Sequence, residues 1–102
     1  VLDIGSGLGG PARWLAHAAG CRVTAVELQP EMHALAEDLT RRSGLGGRVT
    51  HLCADALTVT LPESGFDAAV SWLALLHMPD RRGVLAQMRG ALRPGGGVFI
   101  ED

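Results

Sequence analysis

Six residues near the start of the chain, GSGLGG at positions 5–10, have the composition of a ligand-binding loop. Glycines allow a tight turn and let a ligand approach the backbone closely. Pro11 follows and is typical of a helix start, where free N–H groups and the helix dipole suit an anionic group. Gly5, Gly7 and Gly10 also satisfy the G-x-G-x-x-G pattern of dinucleotide-binding proteins, and this pattern alone leaves the ligand open.

Two carboxylates narrow the choice of ligand. Glu27 stands 22 residues after Gly5 at the end of a β-branched segment, where it could accept hydrogen bonds from both hydroxyls of a ribose. That role suits NAD and other adenosine ligands equally. Asp3 lies in an apolar segment just before the loop, and burying a carboxylate there is costly unless it is paired. A pyrophosphate would be repelled by this charge, so Asp3 favours a cationic ligand.

His77 is the candidate general base, in the segment LALLHMPD. The alternative is that His77 packs locally or caps the next turn. His17 and His33, on helices, are expected to be surface or packing positions, and His51, within the third strand, is expected to be structural. The two cysteines are isolated, and no group of ionisable residues has a defensible metal-ligand spacing, so no metal site is predicted.

Alternating strand-like and helix-like segments must position these residues. Predicted strands cover Val1–Ile4, Arg22–Glu27, Arg48–Cys53, Phe66–Ser71 and Val98–Glu101. Predicted helices cover Pro11–Ala19, Pro30–Ser43 and a segment capped by Asp80 and running to about Arg93, with a non-helical connection at 54–65 and a turn at 94–97. This alternation predicts an α/β fold, a Rossmann-like doubly wound parallel sheet in the order 3-2-1-4-5. The switch point between the first and fourth strands should bring residues 5–10 and 71–79 together. Trp14, on the first helix, is expected to serve packing.

Composition limits the class of protein. The chain has 102 residues, of which 47% are hydrophobic and 20% charged, and its net charge is −2. These values are typical of one globular domain and argue against nucleic acid or an anionic membrane as a main partner. No apolar run approaches the ~20 residues that a membrane span needs, and we expect a cytoplasmic protein. Because the chain starts and stops at strand edges, we expect it to be a piece of a longer protein.

Five motifs in order resemble those of class I S-adenosylmethionine-dependent methyltransferases, in the type 11 branch that acts on small molecules. They are VLDIGSGLGG, VTAVE, CADA, FDAAVSWLALLH and LRPGGGVFIED, and together they cover essentially the whole chain. The resemblance implies a seven-stranded sheet, of which this chain supplies five strands. Residues 1–102 would then form a partial S-adenosylmethionine-binding core domain that lacks the last strands.

The same resemblance implies roles for individual residues. Asp3 and the loop, Gly5, Ser6, Gly7 and Gly9, would hold the methionine end of S-adenosyl-L-methionine. Glu27 would bind the ribose hydroxyls and Leu28 would pack on the adenine. Asp55 would accept from the adenine amino group, Ala56 would direct its N–H at the ring, and Ser71 would offer its backbone near the amino group of the cofactor.

Methyl transfer from a sulfonium is an in-line displacement in which the protein mainly aligns the reactants. A base such as His77 is needed only where the nucleophile carries a proton. The acceptor implied is a small molecule, such as an amine, a quinone or a sterol, and the oligomeric state stays open. Two alternatives remain: an NAD(P)-dependent oxidoreductase, and a non-catalytic binding module with the methyltransferase fold.

Overall fold

A computed structural model describes residues 1–61 and 65–101 of the chain. The strands are β1 (Leu2–Ile4), β2 (Val23–Glu27), β3 (Val49–Cys53), β4 (Phe66–Trp72) and β5 (Leu92–Glu101). The helices are α1 (Gly10–Ala18), α2 (Pro30–Arg42) and α3 (Arg81–Ala91), and a short 3₁₀ turn covers Leu75–His77. All neighbouring strands are parallel and their order is β3-β2-β1-β4-β5. The predicted sheet order is therefore confirmed.

Apolar side chains alternate between the two faces of the sheet, and each face packs against helices. One core lies between the sheet and α3, with contributions from Leu2, Ile4, Val26, Ala69, Val84 and Met88. The other lies beneath α1 and is formed by Ala12, Ala16, Val23, Ala25 and Val49. The central strand β1 is buried along its whole length, which explains its mainly apolar segment, whereas the edge strands β3 and β5 are mostly half-buried or exposed.

Local signals fix most helix ends. Pro30 opens α2, as expected from its missing N–H. The Asp80 side chain caps α3, because its Oδ1 accepts a hydrogen bond from the Gly83 N–H at 2.9 Å. No helix occurs in residues 54–61, as predicted, while the rest of that connection includes residues 62–64, outside the described residues.

The C-terminal strand differs from the prediction. Helix α3 ends at Ala91 rather than near Arg93, and β5 begins at Leu92, ahead of the turn predicted at 94–97. Leu92 pairs with Phe66, and the next pair in the ladder joins Ala68 to Gly97, so the intervening residues bulge out of the strand. Gly95 supports this bulge with a φ of 85°. Pairing with β4 therefore starts earlier than the local turn signal indicates.

The order of the strands reverses beside β1, and the loops after β1 and β4 meet there. A Cβ atom added to Gly5 would lie only 2.4 Å from Cβ of Ala74, so the two loops are in close contact. The predicted meeting of these loops is confirmed. Open α/β sheets bind ligands at this kind of position, beyond the carboxyl ends of the strands.

Candidate functional site

A cavity of about 470 Å³ lies at the carboxyl ends of the strands. Its walls come from the loops after β1, β2, β3 and β4 and from the start of α3. The sequence-predicted residues that line it are Gly5, Glu27, Leu28, Asp55, Ala56 and His77. Other lining residues, which were not predicted to belong to the site, are Met32, Ala54, Ala74 and Val84. These are ordinary apolar residues whose contribution to the site depends on the tertiary fold. Met78, next to His77, and Asp80, the predicted cap of α3, also line the cavity.

The glycine loop is a tight turn attached to β2. Gly5, Gly7 and Gly9 have φ values of 72°, 56° and 81°, a backbone region that side chains disfavour. The N–H groups of Gly5 and Ser6 both donate to the carbonyl of Val26, at 2.9 and 3.0 Å. The loop is thereby held in one conformation, with Gly5 in the cavity wall.

Glu27 joins the glycine loop to the start of α2. Its Oε1 accepts from the Gly7 N–H at 2.8 Å, and its Oε2 accepts from the Gln29 N–H at 3.0 Å. Each carboxylate oxygen can accept more than one hydrogen bond. The fixed carboxylate can therefore still receive two hydroxyl donors from a ligand in the cavity.

Asp3 lies in β1, between Ala25 and Val70 of the neighbouring strands, and is only 2% exposed. Its Oδ2 has no hydrogen-bond partner among residues 1–61 and 65–101. Burial, and secondarily the charge of Glu27, raises the pKa of Asp3 to about 7. Asp3 does not line the cavity, so the structure brings Glu27 and Asp55 together there but keeps Asp3 behind the loop.

Ser6 is the one residue of the glycine loop with a polar side chain, and its buried hydroxyl lacks a hydrogen-bond partner within the part of the chain that the structure describes. Ser6, Gly7 and Gly9 are absent from the cavity wall. Two unpartnered polar atoms, on Asp3 and Ser6, thus lie next to the same glycine turn. Such groups are costly to bury, and a polar ligand that reached them would offset that cost.

The loop after β3 forms the opposite wall. Asp55 Oδ1 accepts from the Leu57 N–H at 2.9 Å, which closes a local turn. Ala56 is buried, whereas Leu28 is 63% exposed at the cavity rim. An apolar rim beside a carboxylate acceptor suits a flat heterocycle that carries an amino group.

Ser71 stands at the end of β4 and is completely buried. Its hydroxyl donates to the carbonyl of Ile4 at 3.0 Å and so joins β4 to the end of β1. Ser71 does not line the cavity. The side chain has a structural role here, and the backbone role implied for Ser71 stays a prediction.

His77 ends the 3₁₀ turn after β4 and lines the cavity. Its backbone N–H donates to the Ala74 carbonyl at 3.1 Å, which holds the turn closed. His77 thus lines the same cavity as Gly5 and Glu27, as a base acting there would have to do. Its catalytic role stays a prediction.

Arg13 and His51, for which no role at the site was predicted, support the glycine loop from its outer side. Arg13 donates from its guanidinium to the Leu8 carbonyl at 2.6 Å. His51 lies 2.7 Å from the Thr40 hydroxyl through Nε2, and a Cβ on Gly9 would lie 3.0 Å from its ring. Burial and the nearby His33 lower the pKa of His51. His51 therefore has a structural role, as predicted, and the segment that its ring packs beside is the glycine loop at Gly9.

The described ranges contain no group of three or more histidine, cysteine, aspartate or glutamate residues arranged to hold a metal ion. Within the same ranges, no helix combines the length and apolarity that crossing a bilayer requires.

Known proteins are similar to this chain in sequence and in fold. The family described as "Methyltransferase domain" matches residues 1–96. Methyltransferase GfsG of Streptomyces halstedii is 38% identical over 102 residues, which is 100% of this chain and 37% of that protein.

Two solved structures superpose closely. The [4+2]-cyclase SpnF has a TM-score of 0.92 at 32% identity, over 97% of this chain and 36% of that one. Haemonchus contortus phosphoethanolamine N-methyltransferase 2, in complex with phosphomonomethylethanolamine and S-adenosylhomocysteine, has a TM-score of 0.91 at 34% identity, over 97% of this chain and 23% of that one. The chain therefore spans well under half of the length of these proteins.

Proposed function

The chain belongs to the methyltransferase domain family, and from that premise we propose that it binds S-adenosylmethionine and supports methyl transfer to a small-molecule acceptor. The observation that carries the proposal is the single cavity at which Gly5, Glu27 and Asp55 meet. The donors of an adenosyl group are ribose hydroxyls and an adenine amine, and acceptors are what this cavity supplies.

Asp3 supports a cationic ligand over a dinucleotide. Its buried oxygen has no partner in the described ranges, and the pKa of Asp3 is raised to about 7. A ligand ammonium near the loop would stabilise the ionised carboxylate and lower that pKa. The negative charge of a pyrophosphate would instead raise that pKa further. The dinucleotide-type pattern of Gly5, Gly7 and Gly10 is weaker evidence for such a ligand than Asp3 is against it.

Bound S-adenosylmethionine supplies an electrophilic methyl group on a sulfonium. The residues of this chain bind and orient. Glu27 accepts hydrogen bonds from the ribose hydroxyls, and Asp55 accepts from the adenine amino group. The amino-acid end lies against the glycine loop, with Asp3 buried behind that loop. Orientation of two reactants can supply ~7–11 kcal/mol of the barrier, and residues that fix the cofactor provide a part of that orientation.

An imidazole nitrogen of His77 takes the proton that an acceptor must lose. This step matters for a phenol or an alkyl ammonium and not for a free amine. His77 lies in the cavity wall and is exposed, so its ring has room to reach an acceptor that enters from solvent.

The proposed acceptor is an amine, a quinone or a sterol. The H. contortus relative named above is a phosphoethanolamine N-methyltransferase, which supports an amine. With a net charge of −2, the chain offers little attraction for nucleic acid. We further propose that the protein is cytoplasmic.

A second candidate is a protein that keeps the fold and the cofactor cavity but performs no methyl transfer. SpnF supports this alternative, because it has the same fold and is described as a [4+2]-cyclase rather than as a methyltransferase. It predicts the same cavity but no turnover.

Transfer of a labelled methyl group from S-adenosylmethionine to a panel of amines, phenols and quinones tests the proposal. We expect transfer to at least one class, and His77→Gln should reduce it for phenols more than for free amines. Label transfer to none of the panel, with the cofactor bound, would favour the non-catalytic alternative.

A further inference from the structure

A second hollow adjoins the cofactor cavity. We name it the tryptophan groove, and it is lined by Gly10, Pro11, Trp14, Trp72, Leu73 and Glu101. Leu73 lines both the groove and the cofactor cavity. Methyl transfer requires the acceptor and the cofactor to meet, so the acceptor needs a surface that shares a wall with the cofactor cavity.

Leu73 is held in an unusual conformation at this shared wall. It has a φ of 55°, and among the described residues other than glycine it alone has a positive φ. Its N–H donates to the Glu101 carbonyl at 2.6 Å, and its side chain is 65% exposed. Backbone strain of this kind occurs preferentially at ligand sites, where the surrounding structure maintains it.

The groove is apolar with one charge. Trp72 and Glu101 are register partners in neighbouring parallel strands, so their side chains leave the sheet on the same face. Trp14 stands at the other side of the groove on α1 and is 64% exposed in the described structure, and the packing role expected for it stays a prediction. Helix α1 packs on β2 and β3 through Ala12 and Ala16, and Trp14 on the same helix lines the groove. Glu101 is the one ionisable side chain among the groove-lining residues.

We propose that the tryptophan groove binds the methyl acceptor and selects an amine with a hydrocarbon body. Indole rings attract a cationic nitrogen and also bury apolar carbon, and a carboxylate complements the same charge. This inference rests on the proposed function. A protonated amine must lose a proton before methyl transfer, and His77 is the base proposed above for that step. It adds the acceptor class and the residues that choose it.

Tryptophan fluorescence reports on this groove directly. The sequence has two tryptophans and no tyrosine, and both tryptophans line the groove. Benzyltrimethylammonium is a suitable probe because its quaternary nitrogen accepts no further methyl group. Neopentylbenzene, which has the same shape without the charge, is the neutral comparison.

We expect saturable quenching by benzyltrimethylammonium and binding at least about threefold weaker for neopentylbenzene, the effect that an exposed cation–π contact supplies. Glu101→Gln should weaken binding of the cation by a similar factor and leave neopentylbenzene unaffected. Glu31→Gln is the matched control, because Glu31 is exposed on α2 and lines neither cavity. Its substitution removes the same charge from the protein.

Equal affinity for the two probes in the unaltered protein would overturn the proposal without reliance on any variant. Equal loss in Glu101→Gln and Glu31→Gln would also overturn it, because net charge would then explain the binding. Calorimetry with S-adenosylhomocysteine distinguishes this failure from failure of the proposed function. Cofactor binding without discrimination between the probes refutes only the groove.

Discussion

At the scale of single residues, the candidate site depends on groups whose placement is costly to the folded protein. Asp3 is the clearest, with a buried carboxylate that lacks a partner for one oxygen in the described structure. Glu27 is held by two backbone N–H groups, and its charge adds to the cost at Asp3. Such costs are typical of functional sites, where binding rather than stability determines the residue.

Asp3 should make stability depend on pH. Its pKa rises from 3.8 in the unfolded chain to about 7 in the folded protein, so the folded state binds the proton more tightly. Protonated Asp3 contributes roughly 4 kcal/mol at most to the free energy of unfolding. This contribution is complete below about pH 4 and is lost as the pH rises through about 7. Asp3→Asn should remove this loss. Urea unfolding of the unaltered protein and of Asp3→Asn from pH 4 to pH 8 measures this loss. If the free energies of unfolding of the two proteins changed in parallel with pH, the prediction would be contradicted.

Gly5 should tolerate no side chain. Its φ of 72° and the 2.4 Å approach of an added Cβ to Ala74 both oppose Gly5→Ala. We expect a loss of about 2 kcal/mol or more in the free energy of unfolding. Gly46→Ala is the control, because no atom lies within 4 Å of its added Cβ. It should change stability by no more than about 0.5 kcal/mol. Equal urea midpoints for the two variants would refute this prediction.

At the scale of elements, local chemistry in the sequence accounts for most boundaries. Pro30 and Asp80 are helix-start signals that need no knowledge of the fold, and both helices begin where these residues indicate. The start of β5 could not be obtained in this way. Leu92 joins the strand because Phe66 lies opposite, and a pairing between residues far apart in sequence overrides the Pro-Gly turn signal.

The cap of α3 can be tested separately. Asp80→Ala removes the acceptor of the Gly83 N–H and should cost about 1 kcal/mol in the free energy of unfolding. Asp80→Asn keeps an oxygen at the same place and should restore most of that loss. Thermal and urea unfolding of the two variants give the comparison. Equal destabilisation by both would mean that the cap contributes through its charge alone.

At the scale of the whole molecule, periodicity and crossover rules were enough to predict the sheet order and the meeting of two loops. The family resemblance drawn from five motifs is confirmed by the match over residues 1–96. The cavity itself was harder to predict, since Met32, Ala74 and Val84 reach it from separate elements. The position of Asp3 behind the loop, rather than in the wall, depends on the pleat of β1 and on the packing of its neighbours.

Calorimetric titration with S-adenosylhomocysteine and with NADH tests the central claim most directly. The cavity of Gly5, Glu27 and Asp55 predicts binding of S-adenosylhomocysteine and none of NADH. Glu27→Gln should weaken that binding about tenfold or more, since it removes the charged acceptor, while Glu31→Gln should leave it unchanged. Binding of NADH in place of S-adenosylhomocysteine, or an affinity for S-adenosylhomocysteine that Glu27→Gln does not alter, would contradict the account.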